Sequence, residues 1–224
     1  MSPNRSLAIA VLGGTGQEGS GLALRWAHAG HRVIIGSRNE QKAAEVARSL
    51  SERAAPALVT GMQNRAAARE ADVVVLTVPY AAQRATVEEV REELAGKVLI
   101  DVTVPLAPPK VSRVQLPEGG SAVEAMQKLL GPSTRVVSAV QNVSAHFLSD
   151  VSREIACDVL VCGDDREARD IAVRLAGDAG LRGVHAGALA NSAAAEALTS
   201  VLIAINRHYK VPAAGIRITG VFEE

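Results

Sequence analysis

The stretch LAIAVLGGTGQEGSGLALRWAHAGHRVIIGSR, residues 7–38, decides the fold of this 224-residue chain. It begins with a short apolar run, residues 7–12, which predicts a buried β-strand. A glycine-rich loop follows, and then a helix from about Gly19 to Ala29, which Gly30 ends. A second apolar run at residues 32–35 predicts another strand. A strand–helix–strand unit of this kind is the building block of a parallel sheet.

The same alternation continues along the chain. Further strands are predicted at residues 58–61, 73–78, 98–102, 135–139 and 158–162, and helices at residues 39–53, 64–70, 81–94, 121–130, 167–176 and 188–206. We therefore expect an α/β fold with a doubly wound parallel sheet. A Rossmann dinucleotide-binding domain would cover residues 1–142. A small C-terminal α+β domain, residues 143–224, would complete the substrate cleft and a subunit interface.

Composition excludes several classes of protein. Lys and Arg together number 24, as do Asp and Glu, and only 2% of residues are aromatic. This balance lacks the basic surplus of a nucleic-acid-binding protein. We also expect no signal peptide and no apolar stretch long enough to span a bilayer. Cys157 and Cys162 are predicted to be buried free thiols of a cytoplasmic protein.

The glycine loop is the strongest functional signal. It reads Gly14, Thr15, Gly16, Gln17, Glu18, Gly19, a GxGxxG pattern between a predicted strand and a predicted helix. Glycines allow a tight turn and close approach of a pyrophosphate to the helix N-terminus. Such loops also occur as plain turns, but this context favours dinucleotide binding.

The end of the second strand indicates which dinucleotide binds. NAD sites usually carry a carboxylate there, whereas this chain has Ser37 and Arg38, with Lys42 one helical turn further on. A hydroxyl and a guanidinium suit the 2′-phosphate of NADP. The alternative is a solvated, basic helix face. NADP is the favoured cofactor.

Other candidates follow the later strands. Thr77, Val78 and Pro79 end the fourth strand, where they would either line the nicotinamide ribose or simply terminate the strand. His146 follows the sixth strand and is a weaker candidate for contact with substrate, while His28 and His31 are expected at the surface. Asp164 and Asp165 are read as a helix cap rather than a metal site. No residue is assigned to a metal or to acid–base catalysis, which fits hydride transfer between two positioned rings.

Several segments together resemble the NADPH-dependent coenzyme F420 reductases. They are LGGTGQEGSGLALRWAHAGHRVIIGSR, ADVVVLTVP, VCGDD and ALANSAAAEALTSVLIAIN, which lie between residues 12 and 206. The resemblance implies a homodimeric oxidoreductase that passes hydride between NADP(H) and the deazaflavin F420. It also implies that Gln141, Val143, Asn191 and Ser192 line the deazaflavin pocket.

One departure from the family is visible in the sequence. Some family members have a histidine where this chain has Gln141, and glutamine can form hydrogen bonds but cannot carry a proton at neutral pH. Two other functions therefore stay open. One is an NADP-dependent reductase of another small acceptor, such as a ketone, imine or metal chelate; the other is a non-catalytic NADP-binding protein.

Overall fold

The computed structural model describes residues 6–57 and 59–221, so Leu58, the first residue of the predicted third strand, lies outside it. Within these residues the chain forms eight strands: β1 (Ala8–Leu12), β2 (Arg32–Ser37), β3 (Val59–Gln63), β4 (Val73–Leu76), β5 (Val98–Asp101), β6 (Arg135–Ser138), β7 (Asp158–Gly163) and β8 (Arg182–His185).

In the described part of the chain, seven α-helices connect or flank these strands: α1 (Gln17–His28), α2 (Glu40–Arg53), α3 (Asn64–Glu70), α4 (Tyr80–Glu89), α5 (Ala122–Leu130), α6 (Arg166–Asp178) and α7 (Ser192–Tyr209). Two of them begin with a side-chain cap that the sequence predicts, at Asn39 and at Asp165. The Asn39 side chain accepts a hydrogen bond from the Lys42 amide at 3.0 Å, and the Asp165 carboxylate accepts one from the Ala168 amide at 2.8 Å. Both satisfy amides that the first turn of a helix leaves free.

All eight strands form one sheet in the order β3-β2-β1-β4-β5-β6-β7-β8. The first six strands of this series run parallel, which confirms the doubly wound Rossmann arrangement. β1 pairs with β2 on one side and with β4 on the other. The strand order therefore reverses between β1 and β4, and a crevice opens beyond their carboxyl ends.

Helices cover both faces of the sheet because its strands are apolar on both sides. In β1, Ile9 and Val11 face the core beneath α1, α2 and α6, while Ala10 and Leu12 face the core beneath α3, α4 and α5. Neighbouring residues of a strand point to opposite faces, so two separate cores result. Together they fix the strand ends that carry the candidate site.

The C-terminal segment extends the same sheet. β6 pairs with β7 in antiparallel fashion, and β7 pairs with β8 in parallel. The sequence did not predict β8, because its residues RGVH carry a single apolar side chain at the outer edge of the sheet. The division of the chain at residue 142 stays a prediction. The structure shows only that both proposed segments contribute strands to one sheet.

His31 is buried, contrary to the expectation of a surface position. The residue is 5% exposed, and its Nδ1 accepts a hydrogen bond from the Leu7 amide at 3.1 Å. Its other ring nitrogen, Nε2, therefore carries the proton and donates to the Asp178 carboxylate at 2.9 Å. Asp178 is 147 positions away, so no local pattern could reveal this pair. His28 is exposed, as expected.

The long C-terminal helix is strongly apolar. The segment Leu189–Tyr209 has 21 residues, and its most apolar 18-residue window has a mean hydropathy of 1.3, which is enough to cross a membrane by length and composition alone. The prediction that no stretch approaches this length is therefore wrong. A third of the segment's most apolar window is buried inside the chain, and the segment carries the buried carboxylate of Glu196. That carboxylate accepts hydrogen bonds from Ser121 Oγ and the Ala122 amide at 2.6 and 2.8 Å, which joins α7 to the start of α5.

Candidate functional site

A cleft of about 760 Å³ lies at the carboxyl edge of the sheet, beyond β1, β2, β4 and β5. Eleven of the residues predicted from the sequence line it: Thr15, Gly16, Gln17, Glu18, Ser37, Arg38, Thr77, Val78, Pro79, Gln141 and Val143. Open α/β sheets bind ligands at this position. One continuous cleft therefore joins the glycine loop to the turn after β6.

The glycines of the loop divide into two groups. Gly14 and Gly19 are packed against the chain: a Cβ atom on Gly14 would lie 2.8 Å from the Val11 oxygen, and one on Gly19 would collide with the Thr77 hydroxyl. A Cβ on Gly16 would meet nothing closer than 3.5 Å. Gly16 therefore faces the open cleft, whereas Gly14 and Gly19 bring helix and strand together.

Gly13 is a further essential residue of this turn that the motif did not include. Its φ is +79°, and a Cβ there would lie 2.7 Å from Val78 Cγ1. Only glycine adopts such a conformation readily in so confined a space. The adjacent pair Gly13–Gly14 was the available signal.

The N-terminus of α1 points into the cleft. Gly16 is its N-cap and supplies no side-chain hydrogen bond. In the described part of the chain, the amides of Gln17 and Glu18 have no acceptor outside the helix. Free amides and the helix dipole together attract an anion. Glu18 lies partly exposed at the same place, and desolvation raises the pKa of its carboxyl to about 8.

The end of β2 presents a hydroxyl and a guanidinium. Ser37 Oγ accepts a hydrogen bond from the Asn39 amide at 3.1 Å, which leaves its proton free to be donated. Arg38 is exposed at the rim of the cleft. Lys42 is also exposed but does not line the cleft.

Thr77 closes the cleft floor between β1 and β4. Its amide and its hydroxyl both donate to the Leu12 carbonyl, at 2.8 and 2.9 Å. The Thr77 side chain is thus a structural link between the two central strands. Val78 and Pro79 continue into the cleft wall, and Tyr80 also lines the cleft.

Gln141 occupies the inner end of the cleft and is 2% exposed. Its side-chain Nε2 donates to the main-chain oxygen of Asp101 at 2.7 Å. The main-chain oxygen of Gln141 accepts a hydrogen bond from Thr199 Oγ1 at 2.7 Å. Its Oε1 has no hydrogen-bond partner among the described residues. The preceding residue, Val140, has a φ of 77°, an unusual conformation for a β-branched side chain. Such strain is found at sites where a neighbouring group must be held in place.

Asp101 is a buried carboxylate behind the cleft wall. It accepts hydrogen bonds from Gln83 Nε2 at 2.6 Å and from the Thr103 amide at 2.9 Å. Burial raises the pKa of Asp101 above its ordinary value. Its role is to anchor the cleft-lining residues Thr103 and Gln141. The sequence leaves open whether residues 101–105, which end the predicted fifth strand, line the ligand or only terminate that strand.

Two predicted residues lie away from the cleft of the single chain. Ser192 is fully buried, and its hydroxyl bonds to Ser121 Oγ and the Leu189 oxygen. Asn191 is exposed and donates to the Ala186 oxygen at 2.7 Å. The α7 residue that does line the cleft is Thr199. Their contact with a ligand stays a prediction, and exposed His146 does not line the cleft either.

Comparison with known proteins gives a consistent result. The family model described as "NADP oxidoreductase coenzyme F420-dependent" matches residues 8–105. The F420-dependent NADP reductase of Methanocaldococcus jannaschii is 42% identical over 223 residues, covering 96% of this chain and 99% of that protein. The F420-dependent NADP reductase of Methanothermobacter thermautotrophicus is 44% identical and covers 97% of both chains.

A solved structure shares the whole fold. It comes from Arthrobacter sp. FB24, belongs to a protein proposed to be an F420-dependent NADP reductase, and superposes with a TM-score of 0.77 at 25% identity. The match covers 96% of this chain and 100% of the other. The similarity in sequence and in structure therefore extends over nearly the full length of both chains.

Proposed function

The chain belongs to the family of F420-dependent NADP reductases, and from that premise we propose that its cleft binds NADP(H) beside coenzyme F420. The protein is an oxidoreductase that transfers a hydride between the two. The observation that carries the assignment of the site is the continuity of the cleft, which runs from the glycine loop and Arg38 to Gln141. Two ligands bound in one continuous cleft can be in direct contact, with no water between their reacting rings.

The glycine loop and α1 would hold the pyrophosphate. Gly16 has no side chain toward the cleft, and the free amides of Gln17 and Glu18 are hydrogen-bond donors to an anion. Thr15 lines the same wall. Gly14 and Gly19 act indirectly, since they allow the close packing that sets the direction of α1.

Ser37 and Arg38 would bind the 2′-phosphate and thereby select NADP over NAD. A guanidinium makes charge-assisted, often bidentate hydrogen bonds with phosphate, and the free proton of Ser37 supplies another donor. Lys42 lies one turn along α2 and adds positive charge near this point without lining the cleft. An NAD site would carry an acidic residue at this position, and residues 36–38 include none.

The inner end of the cleft would hold the two reacting rings. Thr77, Val78 and Pro79 would lie against the nicotinamide end of NADP(H), and Gln141 and Val143 against the deazaflavin, since all five residues line the cleft. Asn191 and Ser192 would also line the deazaflavin pocket, although they lie outside the cleft of the single chain. When both are bound, NADPH supplies the hydride and the deazaflavin accepts it. The chain contributes a fixed arrangement of the rings and exclusion of water, which can account for a large part of a rate enhancement.

We also propose that the protein is a cytoplasmic homodimer. Ala194, Leu198, Val201 and Ile205 recur at helical spacing on α7, and each is exposed or partly exposed in the single chain. An apolar stripe of this kind is typical of a subunit interface. Both cysteines are free and buried, in keeping with a reducing compartment. The molar mass in solution, measured by light scattering, tests the dimer.

The activity is tested by mixing the protein with NADPH and oxidised F420 and following the visible absorbance of the deazaflavin. We expect rapid bleaching with NADPH and much slower bleaching with NADH. Binding of NADPH without any bleaching would contradict the F420 assignment and direct the search to other small acceptors.

A further inference from the structure

Asn64 is a cleft residue to which no role has yet been given. It is the first residue of α3 and follows the end of β3, where Gln63 pairs in register with Ser37. The residue is 3% exposed and lines the same cleft as Ser37 and Arg38. It is therefore placed where the adenosine half of a dinucleotide would lie.

The orientation of the Asn64 amide is fixed by its neighbour. Nδ2 donates to Glu89 Oε2 at 3.1 Å. A carboxylate can only accept, so the reverse orientation would bring two oxygens together. Oδ1 consequently faces away from Glu89, and it has no hydrogen-bond partner among the residues that the structure describes. Buried acceptors without a partner are rare and indicate that a water or a ligand supplies the donor.

The space beside this oxygen is kept open by a glycine. A Cβ atom on Gly36, at the end of β2, would lie 3.2 Å from Asn64 Oδ1 and would collide with Leu12. In NAD sites, a carboxylate near the end of β2 accepts hydrogen bonds from the ribose hydroxyls. This chain has no carboxylate at residues 36–38, and phosphorylation of the 2′ position still leaves the 3′-hydroxyl in need of an acceptor.

We infer that Asn64 Oδ1 accepts a hydrogen bond from the 3′-hydroxyl of the 2′-phosphorylated ribose. Asn64 would then be a specificity-determining residue that replaces the missing carboxylate with a neutral acceptor. This inference rests on the proposed placement of NADP(H) in the cleft.

The test measures binding of adenosine 2′,5′-bisphosphate and of its 3′-deoxy analogue by calorimetry. For the natural chain we expect the analogue to bind about five- to tenfold more weakly, the usual effect of losing one neutral hydrogen bond. In Asn64→Ala the two ligands should bind equally well. The comparison on the natural chain needs no variant, so a poorly folded Asn64→Ala protein would not prevent the test.

Arg38→Ala is the matched control, because it removes a phosphate contact and leaves Asn64 in place. This variant should bind both the bisphosphate and its 3′-deoxy analogue more weakly, and it should still prefer the ligand that carries the 3′-hydroxyl. Equal binding of both ligands to the natural chain, or an unchanged preference in Asn64→Ala, would overturn the inference while leaving the proposed function intact. No binding of either ligand to the natural chain would overturn both.

Discussion

The side-chain nitrogen of Gln141 donates to the main-chain oxygen of Asp101 across 2.7 Å, so the turn after β6 is tied to the end of β5. Because Nε2 donates to this carbonyl, the orientation of the amide is fixed, and Oε1 is an acceptor without a partner among the described residues. A ligand that pairs with Gln141 must therefore offer an N–H or O–H group. The ring N–H of a deazaflavin and the carboxamide of nicotinamide both meet this requirement.

Gln141→Leu approximately keeps the size of the side chain. It removes the Nε2 donor that binds the Asp101 oxygen and the Oε1 acceptor that is free to bind a ligand. We expect kcat/KM for F420 to fall about tenfold, in line with the loss of one or two neutral hydrogen bonds, while the KM for NADPH changes little. Steady-state kinetics with each substrate varied in turn measures this. A matching rise in the KM for NADPH would instead place Gln141 against the nicotinamide.

Arg38→Ala should weaken the binding of NADPH much more than the binding of NADH. Hydrogen bonds to a charged phosphate contribute about 1.5–3 kcal/mol, so the KM for NADPH should rise about 10- to 100-fold. Lys42→Ala, exposed but outside the cleft lining, is the comparison variant and should have a smaller effect. Equal losses for NADPH and NADH in Arg38→Ala would remove the 2′-phosphate assignment.

Glu18 should make NADPH binding depend on pH. Its carboxyl has a pKa raised to about 8 by desolvation, so it is neutral below that pH and gains a negative charge above it. A charge beside the pyrophosphate disfavours binding, so affinity should fall as the pH rises from 7 to 9. Calorimetry across this range, with Glu18→Gln as control, measures the effect. The Gln variant should show a flatter profile, and identical profiles would refute the role of Glu18.

Two glycines of the loop should respond differently to alanine. Gly19→Ala places a methyl group against the Thr77 hydroxyl, so it should lower the free energy of unfolding by about 1–3 kcal/mol. Gly16→Ala has room for the methyl group and is expected to cost less than about 1 kcal/mol. It should nevertheless weaken NADPH, because the methyl group occupies the face that the pyrophosphate approaches. Denaturant unfolding and NADPH titration of both variants separate the two effects; equal stability losses would contradict the packing argument.

The local parts of the fold and site were predictable from the sequence. The glycine loop, the strand before it and the helix after it are contiguous, so periodicity and turn chemistry define them together. Ser37 and Arg38 were found by their fixed distance from that loop. The predicted family is confirmed by relatives that are 42% and 44% identical over nearly the whole chain.

The features that the sequence missed depend on residues far apart in the chain. His31 is buried because Asp178 reaches it, and Thr199 enters the cleft because α7 packs beside the turn at Gln141. The sequence predicts Asn64 only as the start of a helix. Its unpaired Oδ1 can be identified only from the structure, because the hydrogen bond to Glu89 determines the orientation of the amide. Long-range side-chain pairs of this kind leave no periodic pattern.

The central claim is direct hydride transfer from NADPH to F420 within one cleft. It is tested most directly with NADPH that carries deuterium on one or the other face of the nicotinamide, followed by mass spectrometry of the reduced deazaflavin. We predict that one labelled form delivers its deuterium to the product and that the other does not. Reduced deazaflavin without deuterium from either form, or no reduction at all, would contradict the account.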